Sequence, residues 1–253
     1  MREKNKKEVC PPPSNLPPGN SLQSKMAYGL RTYFSLMMAS VLLDIKPWFA
    51  SCSGSILEIG GGPQPYRHLI KKDCSYQGID WEKSEECFKY KKAPDTIYYR
   101  GDIFPLSDNS FDNLFHTEVL EHIFDLNIFL KECFRVLKSN GAMFFTVPFA
   151  AKYHYIPNDY WRFTPASLKK LLEKAGFCDI IVNSRGTDIT VMAYKVVSVI
   201  YRWLLGNIFA KILGVLCLPV LFIALLIGHL SLRLNFGSSD DCLGYTVTAK
   251  VSK

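Results

Sequence analysis

The stretch Ile56-Leu57-Glu58-Ile59-Gly60-Gly61-Gly62-Pro63 constrains this 253-residue chain more than any other. Three apolar residues with an acid among them, then three glycines, read as a buried strand entering a tight turn. Glycine tolerates positive φ and lets a ligand press on bare backbone where a Cβ would collide. The dinucleotide fingerprint G-x-G-x-x-G needs a third glycine, and Pro65 stands in its place. The pattern that remains is an acid two residues ahead of a glycine pair: Glu58, Gly60 and Gly62.

The segments after the turn come in the order a doubly wound parallel sheet requires. Tyr76-Gln77-Gly78-Ile79 leads to Asp80. An acid ending the second strand suits a ribose, because a carboxylate accepts from two vicinal hydroxyls, and Trp81 beside it offers a flat face for a base. Thr96 to Tyr99 is a third strand running to Gly101-Asp102. A short strand ending at His116 and Thr117 comes next, then Glu118-Val119-Leu120-Glu121-His122. Asp125 is placed to cap a helix whose apolar face is Leu126, Phe129, Leu130, Cys133, Phe134 and Leu137. Ala142 to Pro148 reads as a buried fifth strand.

The spelling from Ser110-Phe111-Asp112 through His122, continued by Phe134-Arg135-Val136-Leu137 and Gly141 to Pro148, resembles the class I S-adenosylmethionine (SAM)-dependent methyltransferases. It is similar to the branch that includes ubiquinone and menaquinone biosynthesis enzymes. The resemblance covers roughly residues 50–190 and the final strand. It implies an α/β fold with a doubly wound seven-stranded sheet and SAM as cofactor. Glu58, Gly60 and Gly62 would hold the methionine end, Asp80 and Trp81 the ribose and base, Asp102 with Ile103 the adenine. Thr117 would stand at the lip of strand four. His122 is either a backbone-bonded histidine at a helix start or a group that orients the acceptor or takes its proton.

After strand five, Tyr153 to Pro165 packs five aromatics, a histidine, an acid and an arginine into one loop. Thr164 then Pro165 reads as an N-cap and first-turn proline of a helix ending at Gly176. The loop is similar to those of bacterial methyltransferases associated with cell-surface polysaccharides and lipids. Methyl transfer needs nucleophile and methyl held in line. An oxygen nucleophile also needs its proton removed, for which His154 is the first candidate and His122 the second. Tyr155, Asp159, Tyr160, Trp161 and Arg162 are candidates for substrate binding. The alternative for the loop is an Asp159–Arg162 pair and buried aromatics that hold its shape.

Charge is unevenly spread over the net +7. Residues 1–50 carry 7 Lys/Arg against 3 Asp/Glu, residues 189–253 carry 6 against 2, and the middle 17 against 18. A near-neutral core without a basic, aromatic-laced stripe argues against a nucleic-acid substrate. Basic flanks suit an anionic membrane surface. Eight scattered cysteines without C-x-x-C, and no zinc-like histidine spacing, point to free thiols in a reducing compartment and to no metal site. Residues 1–20 are basic and proline-rich without an apolar run, and are expected to form a flexible tail rather than a signal peptide. From Ser21, Met26, Leu30, Tyr33, Phe34, Met37, Val41 and Leu42 recur at helical spacing, with Lys46-Pro47 expected to end one helix that packs on the domain or lids the cofactor.

Strand six is expected at Cys178–Val182 and the closing strand at Leu243–Lys250. Some sixty strongly apolar residues separate them, including 21 without Asp, Glu, Lys or Arg from Ile212 to Leu232. Both flanking strands belong to one sheet, so this insertion returns to the side it left and cannot cross a bilayer once. Ala193–Asn207 reads as a basic amphipathic arm and Pro219 as the divider of a hairpin. The expected layout is a tail (1–20), a core with an N-terminal helix (21–190), an insertion (191–236) and the last strand (237–253). The expected function is methylation of a lipid or lipid-linked glycan at the cytoplasmic membrane face. The alternatives are a soluble small-molecule or quinone methyltransferase with a dimerising insertion, and a non-catalytic SAM-fold module that binds a partner at the membrane.

Overall fold

The computed structural model describes residues 16–252, so the tail expected over 1–20 lies mostly outside the described residues. Seven strands form one sheet in the order β3-β2-β1-β4-β5-β7-β6. They are β1 (Ser55–Ile59), β2 (Ser75–Trp81), β3 (Thr96–Tyr99), β4 (Phe111–Thr117), β5 (Leu137–Pro148), β6 (Phe177–Arg185) and β7 (Gly244–Val251). β1 to β5 pair in parallel, and β7 runs antiparallel between β5 and β6. The expected α/β sheet is therefore present, with each strand within a few residues of its sequence position.

Because the strands are covered on both faces, they read as continuous apolar runs, and successive residues feed opposite layers. Leu57, Leu114 and Phe145 face helices α4 (Leu126–Val136) and α5 (Pro165–Ala175). Ile56, Phe115 and Phe144 face α2 (Leu36–Ser51). Asp125 caps α4 by accepting from the backbone N–H of Asn127 and Ile128. Thr164 caps α5, and Gly176 ends it at φ 102°.

The N-terminal segment departs from expectation. Two helices, α1 (Leu22–Phe34) and α2, meet at Ser35 with a bend of 107°. Ser35 is extended (φ −114°, ψ 93°), and its hydroxyl accepts from Met38 N–H at 3.2 Å, ending one helix and capping the next. Pro47 does not stop α2. Ile45 and Phe49 are both buried in the core on either side of it, and their packing carries the helix on to Ser51 despite the lost N–H.

The insertion is three helices: α6 (Asp188–Leu204), α7 (Ile208–Leu216) and α8 (Leu218–Leu234). α6 begins before the amphipathic arm expected from Ala193. Its start is fixed by a buried hydroxyl cluster, with Thr187 and Thr190 bonded to Ser231 of α8 at 2.9 and 2.7 Å. Pro219 sits in the first turn of α8, beyond a 57° bend from α7. Leu36 of α2 packs with Val191, Ala193, Leu221 and Leu225, which seats the insertion on the core.

At the end of β6, Arg185 is buried and gathers four parts of the fold. Its guanidinium donates to Ser40 Oγ (3.0 Å), Glu118 Oε1 (2.6 Å) and the Val147 carbonyl (3.1 Å). In the core below, His116 stacks on Phe145 and meets Phe129 edge-on, and neither ring nitrogen has a hydrogen-bond partner among the described residues. Burial holds its pKa down to about 3. The folded protein thus keeps His116 neutral while the unfolded chain protonates it below pH 6.5, so its contribution favours folding above that pH and is lost on acidification towards 3. His116→Phe is expected to gain on the parent by about 1.4 kcal/mol per pH unit across that window. Urea titrations of both proteins from pH 7 to 4 check this; a pH-independent difference would show that the ring is solvated.

Candidate active site

The carboxyl ends of β1, β2 and β4 open into a cavity of about 1810 Å³. Ligands in open α/β sheets bind at this edge. Gly60 (φ 65°) and Gly62 (φ 52°) take left-handed conformations that form its floor. A Cβ on Gly60 would lie 2.8 Å from Val119 Cγ2, and one on Gly61 2.4 Å from Glu58 Cδ. The glycines are thus required by the turn itself.

Glu58 lies buried beneath this turn and accepts from the Tyr76 hydroxyl; it does not line the cavity. Burial raises its carboxyl to about 7 against the pull of that bond. Asp80 does line the cavity. Its Oδ1 accepts from Trp81 N–H (2.7 Å), and its Oδ2 from Gly62 N–H (3.1 Å) and Tyr90 O–H (2.6 Å). Burial raises the Asp80 carboxyl even with these bonds opposing. Tyr90 therefore occupies one of the acceptor positions that a ribose would use. Trp81, Asp102 and Thr117 also line the cavity, whereas Ile103 is 72% exposed and does not.

Next to Val119, which packs against Gly60, a 3-10 turn (Leu120–His122) meets the loop after β5. Tyr160 N–H donates to the Glu121 carbonyl at 2.8 Å, and Trp161 Nε1–H to the Ile123 carbonyl at 2.9 Å. The Asp159 carboxylate takes two bonds from Arg162, at 2.6 and 2.8 Å. Burial opposes the charge on Asp159, but Arg162 and His154 outweigh it and hold the carboxyl well below its usual range. Arg162 also reaches the Lys152 and Trp161 carbonyls. Asp159, Trp161 and Arg162 thus lie off the cavity wall; the Asp159–Arg162 pair of the alternative is present, but of its aromatics Phe163 is buried while Tyr153, Tyr160 and Trp161 are exposed. Tyr155 and Tyr160 line the cavity.

His122 and His154 stand at this end, ring centroids 5.1 Å apart. His122 Nδ1 faces the Asn158 carbonyl, and His154 Nδ1 lies 3.0 Å from both the Lys152 carbonyl and Asp159 Oδ2. Those oxygens only accept, so each Nδ1 carries a proton, and in the neutral ring the lone pair is on Nε2. Burial lowers His122 to about 4, with the neighbouring His154 acting in the same direction.

Several residues around the cavity carried no legible role in the sequence. Glu118 and Glu121 stand just after β4, where nothing in the local spelling marks them for a part. Tyr90, and Tyr194 and Ser198 of α6, line the cavity without any sequence signal, since the chain brings them there from a loop and from the insertion. The insertion leaves β6, which runs parallel to β5, at the cavity edge and returns into the antiparallel β7.

The family model described as a methyltransferase domain matches residues 57–145. A "Probable S-adenosylmethionine-dependent methyltransferase" of Mycolicibacterium smegmatis is 29% identical over 139 residues. That match covers 50% of this chain and 53% of the relative, so the chain spans about half the length of the protein it matches. A SAM-dependent methyltransferase from Archaeoglobus fulgidus shares the fold, with TM-score 0.53 and 18% identity over 88% of this chain and 99% of that one. So does the [4+2]-cyclase SpnF, with TM-score 0.50 and 17% identity over 85% of this chain and 82% of that one. A cyclase on the same fold shows that architecture alone leaves the chemistry open. Residues 57–145 thus match a methyltransferase domain, and the sheet order and glycine turn are those of the class I SAM-dependent methyltransferase fold, which points to SAM as the cofactor.

Proposed function

We propose that the protein transfers the SAM methyl group to an oxygen of a lipid or lipid-linked glycan at the cytoplasmic face of a membrane. One observation carries this reading. Part of the cavity wall is built from α2, α6 and α8, including Met37, Val197, Leu221 and Phe222. The outer surfaces of α7 and α8 expose Phe209 (79%), Leu216 (70%) and Ile223 (58%). An apolar passage next to an apolar surface suits an acceptor that keeps its tail in the bilayer. At about 1810 Å³ the cavity also exceeds the roughly 300–1,000 Å³ of ordinary small-ligand sites. Among the described residues no single helix is long and apolar enough to cross a membrane; α1 with α2, and α7 with α8, pass by length and composition only as bent pairs. In-plane attachment fits that geometry.

In this reading, bare glycine backbone admits the methionine part of SAM, Asp80 takes the ribose, and Trp81 and Asp102 flank the adenine. His154 and His122 face the acceptor, whose oxygen must lose its proton. Phe209, Ile212 and Leu216 share one face of α7. Changing all three to lysine is expected to lower partition onto anionic vesicles by at least about 100-fold, since each buried apolar side chain is worth about 1.5–3 kcal/mol. Stabilisation by S-adenosylhomocysteine should be unchanged. If the parent chain ignores vesicles and the triple change instead splits a dimer, the insertion is a subunit interface and the membrane reading falls.

A further inference from the structure

We infer that Glu121, His122 and His154 form a binding site for one divalent transition-metal ion at the acceptor end of the cavity. One donor atom from each lies within 4.8 Å of the other two, and Glu121 Oε1 is 3.7 Å from His122 Nε2. Glu121 is fully buried, and neither carboxylate oxygen has a hydrogen-bond partner among the described residues. A buried carboxyl without partners is costly, and a cation beside it would answer both oxygens.

The histidines are arranged to match. Each turns Nδ1–H onto a backbone carbonyl or carboxylate: His122 on Asn158, His154 on Lys152 and Asp159. Metal-bound histidines almost always carry such an outer partner, which fixes the tautomer and leaves Nε2 as the ligand. Two imidazoles with one carboxylate suit zinc, iron, cobalt or manganese rather than calcium. At metal–ligand distances of about 2.0–2.1 Å, tetrahedral donors sit roughly 3.3 Å apart, so the three groups need only close in by side-chain rotation. The sequence hid this site, for positions 121, 122 and 154 have no metal-like spacing and meet only because Tyr160 pins the loop to the 3-10 turn.

Three protein ligands leave a position for the acceptor. Bound there, a hydroxyl would release its proton to water more readily. Its oxygen then forms the bond to the methyl carbon, the carbon–sulfur bond breaks with its electron pair on sulfur, and nothing is oxidised or reduced. This role rests on the methyl-transfer reading above; the binding of the ion does not.

The test uses the full chain, stripped with chelator and titrated with Co²⁺ in equilibrium dialysis, with visible d–d absorption as a second readout. One Co²⁺ per chain is expected, displaced by Zn²⁺. Even outer partners of a metal are worth about 10–100-fold, so Glu121→Gln and His122→Ala should each weaken binding by more than about 100-fold. Both variants should retain the melting shift with S-adenosylhomocysteine, which shows that they fold. No cobalt bound by the parent, or binding undiminished in Glu121→Gln and so held by thiols elsewhere, overturns the site. Vesicle binding and methyl transfer that persist in metal-free protein would sink the metal's role and leave the membrane reading standing. Stoichiometric cobalt in a chain that ignores vesicles would do the reverse.

Discussion

Arg185→Met is expected to cost about 3–5 kcal/mol of folding stability, the range for removing one partner of a buried ion pair. The guanidinium joins β6 to α2 through Ser40, to the exit of β4 through Glu118 and to β5 through Val147. Methionine fills similar volume but leaves the Glu118 carboxylate and the Val147 carbonyl without their donor. At about 2–4 °C per kcal/mol for a domain of this size, the melting temperature should fall by about 6–20 °C. Glu118→Gln in the same background should recover part of the loss, because it removes the stranded charge. A loss below about 1 kcal/mol, or no recovery, would show that water reaches the pair and that the sheet edge is held by packing alone.

Asp80→Ala should all but abolish the stabilisation of the protein by S-adenosylhomocysteine. At 100 times its dissociation constant a ligand contributes about 2.7 kcal/mol to the folded state, or roughly 5–10 °C here. Asp80 is the acid that ends β2 within the cavity, and its loss also frees the Gly62 N–H it now holds. Tyr90→Phe is the informative companion. It frees one of the two acceptor positions in use on Asp80 Oδ2, which keeps the Gly62 N–H, without touching the carboxylate, so affinity should hold or rise. Equal stabilisation by NAD, or a full shift in Asp80→Ala, would place the ribose elsewhere.

The parts of the fold legible in the sequence were those fixed by near neighbours. Ile56 to Gly62 declared β1 and its turn, and Asp125, Thr164 with Pro165, and Gly176 declared helix ends, because caps act across three or four residues. The break at Ser35 was missed because serine is an ordinary helix residue there, and only packing of α2 against the core turns the chain. Pro47 misled for the same reason, since Ile45 and Phe49 outvote the missing N–H. Most of the candidate site was named, yet not how it is divided. Asp159 and Arg162 satisfy each other, Glu58 lies under the turn, and Glu121 enters beside two histidines. These are contacts between segments, and no spacing along the chain encodes them. Ser40 and Arg185 stand 145 residues apart.

β7 is the last strand made and lies between β5 and β6. Synthesis therefore delivers β6 and then α6, α7 and α8 before the strand that ties β6 into the sheet. A nascent chain paused between Leu234 and Gly244 carries an unfinished sheet beside apolar helices already made. The order of translation thus exposes the apolar faces of those helices while the sheet is still open, and the sheet closes only afterwards.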